Sequence, residues 1–189
     1  MRWLTLYARS RRVPASLAAV VIGAMAVWML AGDGEAGDTR LPALVLAAGT
    51  MATSIGLSGQ DLALDRAAAI RWVPRRAAHV LLAGAVVAVV LLAVQTTGAD
   101  MATAGFVVRD SAGLMGLIAL GTVIAGAQYA WIPPFVWLSF SFFAPPAGSV
   151  PAQVGTWMLL PPGTAAGTWT ALVLAVTGTV AYAFAGPRR

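Results

Sequence analysis

Cysteine and lysine are both absent from this 189-residue chain, and histidine occurs once, at His79. Without cysteine there is no disulfide, no thiol nucleophile and no cysteine-ligated zinc. A lone histidine argues against a histidine-built metal site. Without lysine there is no phosphate loop of the form GxxxxGK[ST], because that motif relies on its lysine to reach the terminal phosphates. Charge of either sign is scarce: Asp, Glu, Lys and Arg make up 10% of the residues, where a soluble domain carries about 25%. The deficit runs the whole length, so no part reads as a soluble half. Apolar residues take up the difference, at 59% of the chain and a mean hydropathy of +0.81. This composition reads as an all-α integral membrane protein, with the lipid bilayer as its first partner.

Hydrocarbon about 30 Å thick needs roughly 20 apolar residues in helical form. Six stretches approach that requirement, at about 14–31, 41–58, 79–97, 111–128, 131–146 and 166–186, and together they form one transmembrane domain over 1–189. The fourth has a possible earlier start near Ala102. The fifth contains Pro133 and Pro134. Prolines break a helix interior but suit its first turn, which reconciles them with a span beginning at Trp131. Residues 1–13 mix Trp3, Leu4, Leu6 and Tyr7 with Arg2, Arg9, Arg11 and Arg12. That mixture suits either an interfacial helix lying at headgroup level or a basic tail. The apolar run that follows is long for the core of a cleaved signal peptide. Ala48, Ala52 and Gly56 are spaced four apart, as small residues at a helix contact are.

The net charge of +5 is carried by arginine alone. Arginines flank the apolar spans and form no patch, so positive-inside bias accounts for them and no nucleic-acid partner is implied. Ten of the twelve fall in the N-terminal segment, the 59–78 connection and the C-terminal GPRR. Six spans put all three regions on one side, the cytoplasm, with both termini there and the plasma membrane as the location. The opposite loops hold five of the seven acidic residues, with Arg40 and Arg109.

No ionisable group falls at mid-span, where proton- and sodium-driven transporters place theirs. Asp33, Glu35, Asp38, Asp100 and Asp110 lie in loops or at predicted membrane edges. Arg109–Asp110, at the outer edge of the fourth span, reads as solvated by default, with gating or pairing with Asp100 as alternatives. Ser139 and Ser141 have no histidine at plausible depth, so their hydroxyls are expected to bond back to helix carbonyls. No catalytic, cofactor-binding or metal-binding set can be assembled, and the chain does not read as an enzyme.

Six of the nineteen charged residues fall in DLALDRAAAIRWVPRRAAHVLL, between two apolar spans. Asp61 and Asp65 suit the start of a short amphipathic helix. Leu62, Ala69, Ile70 and Val73 recur at roughly helical spacing, and Pro74 is expected to end or kink it. Arg75 and Arg76 then anchor the third span at the headgroups. This layout resembles the ABC-type-2 permease family, the membrane subunits of type V ABC exporters. That family has an interfacial helix, six spans, and a cytoplasmic coupling helix between spans two and three. PAQVGTWMLLPPGTAAGTW looks similar to the family's pair of short re-entrant helices before the last span.

The resemblance implies a separate ABC ATPase subunit that holds ATP and Mg, and a second permease subunit, identical or different. It assigns contact with the ATPase to Asp65, Arg66, Ile70, Arg71, Trp72 and Val73. It places spans two and five along a conduit, with Thr50, Met51, Ser54, Phe135, Trp137, Phe140 and Phe143 as lining for an amphipathic or apolar substrate. The alternative is a non-transporting assembly, anchoring or sensor subunit. Topology is checked by single cysteines in intact cells. Ala36→Cys and Gly148→Cys should react with an impermeant maleimide from outside, and Ala68→Cys only after permeabilisation. External labelling at position 68 would overturn the assignment.

Overall fold

A computed structural model of the chain describes residues 21, 25, 39–57, 72–96, 102–145 and 148–188, and the following concerns these. The described residues are helical, without strands. In chain order the helices are α1 (Arg40–Thr53), α2 (Trp72–Gln95), α3 (Ala104–Ala125), α4 (Ile132–Phe143), α5 (Val150–Gly155) and α6 (Ala165–Ala185). Single 3₁₀ turns follow α1 at Ser54–Leu57, α3 at Ala127–Tyr129 and α5 at Trp157–Leu159. Three helices, α2, α3 and α6, are long and apolar enough to cross a membrane.

The interfacial segment at 1–13 and the coupling residues Asp65, Arg66, Ile70 and Arg71 lie outside the described residues. So does the first span at 14–31, except for Val21 and Met25, which are helical and exposed.

Helix α3 is the hub. Of its most apolar stretch 67% is buried, against 28% for α2 and 22% for α6, so its neighbours turn most of their surface outward. It packs on α1, α2, α4 and α6, while α2 touches α6 and α1 touches both α2 and α4. Helix α1 is buried over most of its length, Ala43, Leu46, Ala47 and Thr50 among its buried residues, whereas α2 buries a narrow stripe of Val80, Gly84, Val87 and Leu91. These are spacings of three and four, which place the residues on one helical face. Outside the buried faces Leu82, Val89, Val173 and Val180 are exposed, a surface that hydrocarbon solvates and water does not.

The tightest contact is between α3 and α6. A Cβ on Gly116 would run into the Leu174 carbonyl oxygen and Ala175 Cα, and one on Gly178 into the backbone of Gly116. Backbone therefore lies on backbone here. Small residues permit this approach, and it replaces hydrophobic expulsion as the cohesive term where the solvent is itself apolar.

The helices alternate in direction. At one end Thr39, before α1, donates its hydroxyl to Leu159 O at 3.0 Å, near the start of α6. At the other, Tyr182 near the end of α6 donates to Leu57 O at 2.9 Å. Arg188 donates to Ile124 O at 3.0 Å through its guanidinium and to Thr122 O through its backbone N–H. Thr122 O also accepts from Gly126 N, so Arg188 adds a second bond there and ties the C-terminal residues to the last turn of α3.

The fourth stretch forms helix from the earlier of its two expected starts. Helix α3 starts at Ala104, capped by the Thr103 hydroxyl, which accepts from Phe106 N. It therefore takes Arg109 and Asp110 inside the helix. Pro74, expected to end or kink a helix before it, is the third described residue of α2; the residues of that expected helix before Trp72 lie outside the described ones. Pro133 and Pro134 occupy the first turn of α4 as anticipated. With twelve residues, α4 is about 18 Å long. Replacing Gly116 by Ala should cost about 1–3 kcal/mol, the usual range for overpacking, in a denaturing-detergent titration. Gly148→Ala should change stability by less than about 0.5 kcal/mol, because nothing lies within 4 Å of a Cβ there.

Candidate functional site

Chain 150–161 returns between α4 and α6 as a strap: a six-residue helix, a 3₁₀ turn, then an exit through Pro161. Its anchor is Trp157, fully buried beside the fully buried Met158. The indole stands edge-on to Trp137 at 6.5 Å between ring centres, a favoured aromatic geometry. It passes α3 where Gly113 leaves room, since a Cβ there would come within 2.6 Å of the ring. From α4, Trp137 Nε1 donates to Gly155 O at 2.8 Å and Ser141 Oγ to the same oxygen at 3.0 Å. Thr39 bonds the Leu159 carbonyl from the α1 side.

Arg109 ties the strap to the hub helix. Its Nη2 donates to Leu160 O at 2.8 Å and to Trp157 O at 3.4 Å, and its Nη1 to Pro161 O at 3.0 Å. Its Nε donates to Asp110 Oδ1 at 2.7 Å. The guanidinium also lies 5.1 Å from the Phe106 ring centre, within cation–π range. Gly167, at the start of α6, keeps that space open: a Cβ there would sit 3.1 Å from Nη1.

Solvation, the default reading for this dipeptide, is therefore corrected. The two side chains are paired with each other, with exposures of 7% for Arg109 and 0% for Asp110. Burying both charges is costly, and hydrogen bonds that use the guanidinium fully offset part of that cost. Asp110 Oδ2 and Trp157 Nε1 remain buried without a hydrogen-bond partner.

The other sequence-predicted residues divide. Thr50 and Ser54 are buried, and Thr50 Oγ1 donates to Leu46 O at 2.8 Å and Ala47 O at 2.9 Å. Met51 is half-buried against the core. On α4, Phe135, Phe140 and Phe143 are exposed, whereas Trp137 turns inward to the strap. Helices α1 and α4 are neighbours, but the hydroxyls of one and the phenyl rings of the other face different ways. Trp72 and Val73 form the start of α2, where Arg76 lies 5.9 Å from the Trp72 ring centre. The expected backbone bonding of Ser139 and Ser141 is present, to Phe135 O at 2.8 Å and Trp137 O at 2.9 Å.

Sequence reasoning missed the Arg109 tie because its acceptors are backbone carbonyls some fifty residues away, which carry no residue-type signal. The pairing of Gly113 and Gly116 with Ala171, Ala175 and Gly178 was readable as small-residue spacing, but it was lost among many similar alanines.

Among the described residues no group of three or more His, Asp or Glu could hold a metal ion. No family model, curated protein or solved structure matches the chain.

Arg109→Gln should destabilise the protein by about 3–5 kcal/mol, because it leaves the Asp110 charge buried and alone. Adding Asp110→Leu should recover part of that loss. A double-mutant cycle by denaturing-detergent titration reads the coupling, and additive losses would show that the pair is not coupled.

Proposed function

We propose that the chain is the membrane subunit of an ATP-driven exporter of the ABC type, working with a separate ATPase and a second permease subunit. The carrying observation is the distribution of charge between the two ends of the bundle. Arg75, Arg76 and Arg188 share the end where α1 finishes, α2 begins and α6 finishes. Leu57 and Trp72, which flank the sequence bearing Arg66 and Arg71, both lie at this same end. Arg40 and Arg109 belong to the opposite end. Positive-inside bias makes the arginine-rich end cytoplasmic, in a plasma membrane crossed six times with both termini inside.

In this reading the segment 65–73 meets the ATPase, which supplies ATP and Mg. Asp65, Arg66, Ile70, Arg71, Trp72 and Val73 form the contact. The exposed Phe135, Phe140 and Phe143 of α4 face the second permease subunit and, with Met51, give an amphipathic or apolar substrate an adaptable apolar surface. Thr50 and Ser54 support the α1 wall from within. The short elements before α6 support the same reading through their likeness to the family's re-entrant pair.

The test is purification of the tagged, full-length chain from its native membrane. An ATPase with a Walker motif should co-purify, and Arg71→Glu or Trp72→Ala should lower its association or turnover at least fivefold. Co-purification unaffected by both changes would remove the coupling assignment, and absence of any such ATPase would remove the exporter reading.

A further inference from the structure

Helices α2 and α6 touch near the arginine-rich end, where a Cβ on Gly186 would meet the Arg76 guanidinium. Between them, toward the other end, lies a cleft floored by α3. Its deeper part has a volume of ≈ 330 Å³, with Gly84, Ala85 and Ala88 on one wall and Ala175 on the other. A shallower groove of ≈ 510 Å³ continues along α3 and α6 as far as Ala104 and Gly105. The two share Val108, Ala112 and Ala175, so they form one channel open along its side. Leu82 and Val173, exposed on α2 and α6, belong to the outward-facing apolar surface of the two helices that bound it.

We propose that this cleft binds a single alkyl chain of a bilayer lipid, entering sideways between α2 and α6. Size selects the occupant. The deeper part runs from Val80 to Leu92, about 18 Å of helix, so its ≈ 330 Å³ is a long, narrow slot. A transmembrane helix from a second copy, about 10 Å across, needs on the order of 80 Å². A methylene chain, about 4 Å thick by the carbon–carbon contact distance, needs on the order of 15 Å².

Chemistry selects in the same direction. The lining carries three hydroxyls, Ser111, Thr179 and, in the shallower groove, Thr168, against a majority of aliphatic side chains, and the buried Ser111 donates to Val108 O at 3.1 Å. Arg109, at the outer end, is charge-balanced by Asp110 and spends its donors on the strap carbonyls. The rim therefore has no net charge with which to select an anionic headgroup. Small residues make the channel narrow and deep, and an alkyl chain recovers the van der Waals contact that an empty channel forgoes. The inference depends on bilayer placement of the long helices and not on the ATPase.

The full chain is reconstituted in phosphatidylcholine vesicles that contain a phosphatidylcholine with a diazirine on one acyl chain. After irradiation the adducts are mapped by mass spectrometry. Adducts should concentrate on Val108, Ala112 and Ala175, at least fivefold above exposed Val136 on α4. Ala112→Phe and Ala85→Phe, which fill the channel from its floor and from one wall, should each abolish that excess, while Val136→Phe leaves it intact. Uniform labelling of all outward-facing residues, or an excess unchanged by both filling variants, would overturn the proposal. So would cross-linking of an Ala85→Cys variant to a second copy across the cleft. Absence of adducts on α2 and α6 altogether would remove the bilayer placement as well.

Discussion

Backbone contact between α3 and α6 is the constraint from which the remaining arrangement follows. In hydrocarbon, apolar side chains gain little by leaving their surroundings, so helices cohere through close packing and satisfied polar groups. Gly116 and Gly178 bring two main chains together where no side chain could stand between them. Once α6 is fixed on α3 in this register, Gly113 on α3 and Ala171 on α6 leave the slot that the Trp157 ring occupies. That slot in turn determines where the strap can turn back.

Arg109 completes the arrangement at the opposite end from Arg75, Arg76 and Arg188. A cation inside a membrane helix is tolerated when it faces the bundle interior and is paired. Here the same side chain neutralises Asp110 and donates to three carbonyls of the strap, of which Trp157 O and Pro161 O also accept from Leu160 N and Thr164 N. Such irregular backbone is acceptable at membrane depth only when protein surrounds it. The strap and the ion pair thus explain one another: the carbonyls need a buried donor, and the guanidinium needs buried acceptors. Helix α4, at twelve residues, stops short, and the strap packs against its last turns through Trp137 and Ser141.

Much of the helical layout was legible because hydropathy is a local property. The long apolar runs became α2, α3 and α6, and the Pro133–Pro134 pair fell in a first turn, as proline chemistry requires. Ser139 and Ser141 bond back to their own helix, which depends only on neighbours four residues away. Arg109 was illegible for the opposite reason: a charged pair near a predicted membrane edge looks alike whether it meets water or distant carbonyls. The start of α3 decides between those outcomes: a start at Ser111 leaves the pair at the edge, and the start at Ala104, close to the earlier alternative, takes it inside the helix. Thr50 and Ser54 show a related limit. Sequence places them on α1 but does not say which neighbour the inner face of α1 will meet.

The account stands or falls on α3 being the buried hub with its backbone against α6. Nuclear Overhauser contacts in lipid nanodiscs, with both glycines assigned and isotopically labelled, test this without altering a side chain. Cross-peaks between the α-protons of Gly116 and Gly178 are predicted. If those protons show contacts only to side chains or to lipid, α3 and α6 are not in backbone contact, and the arrangement built on them is wrong.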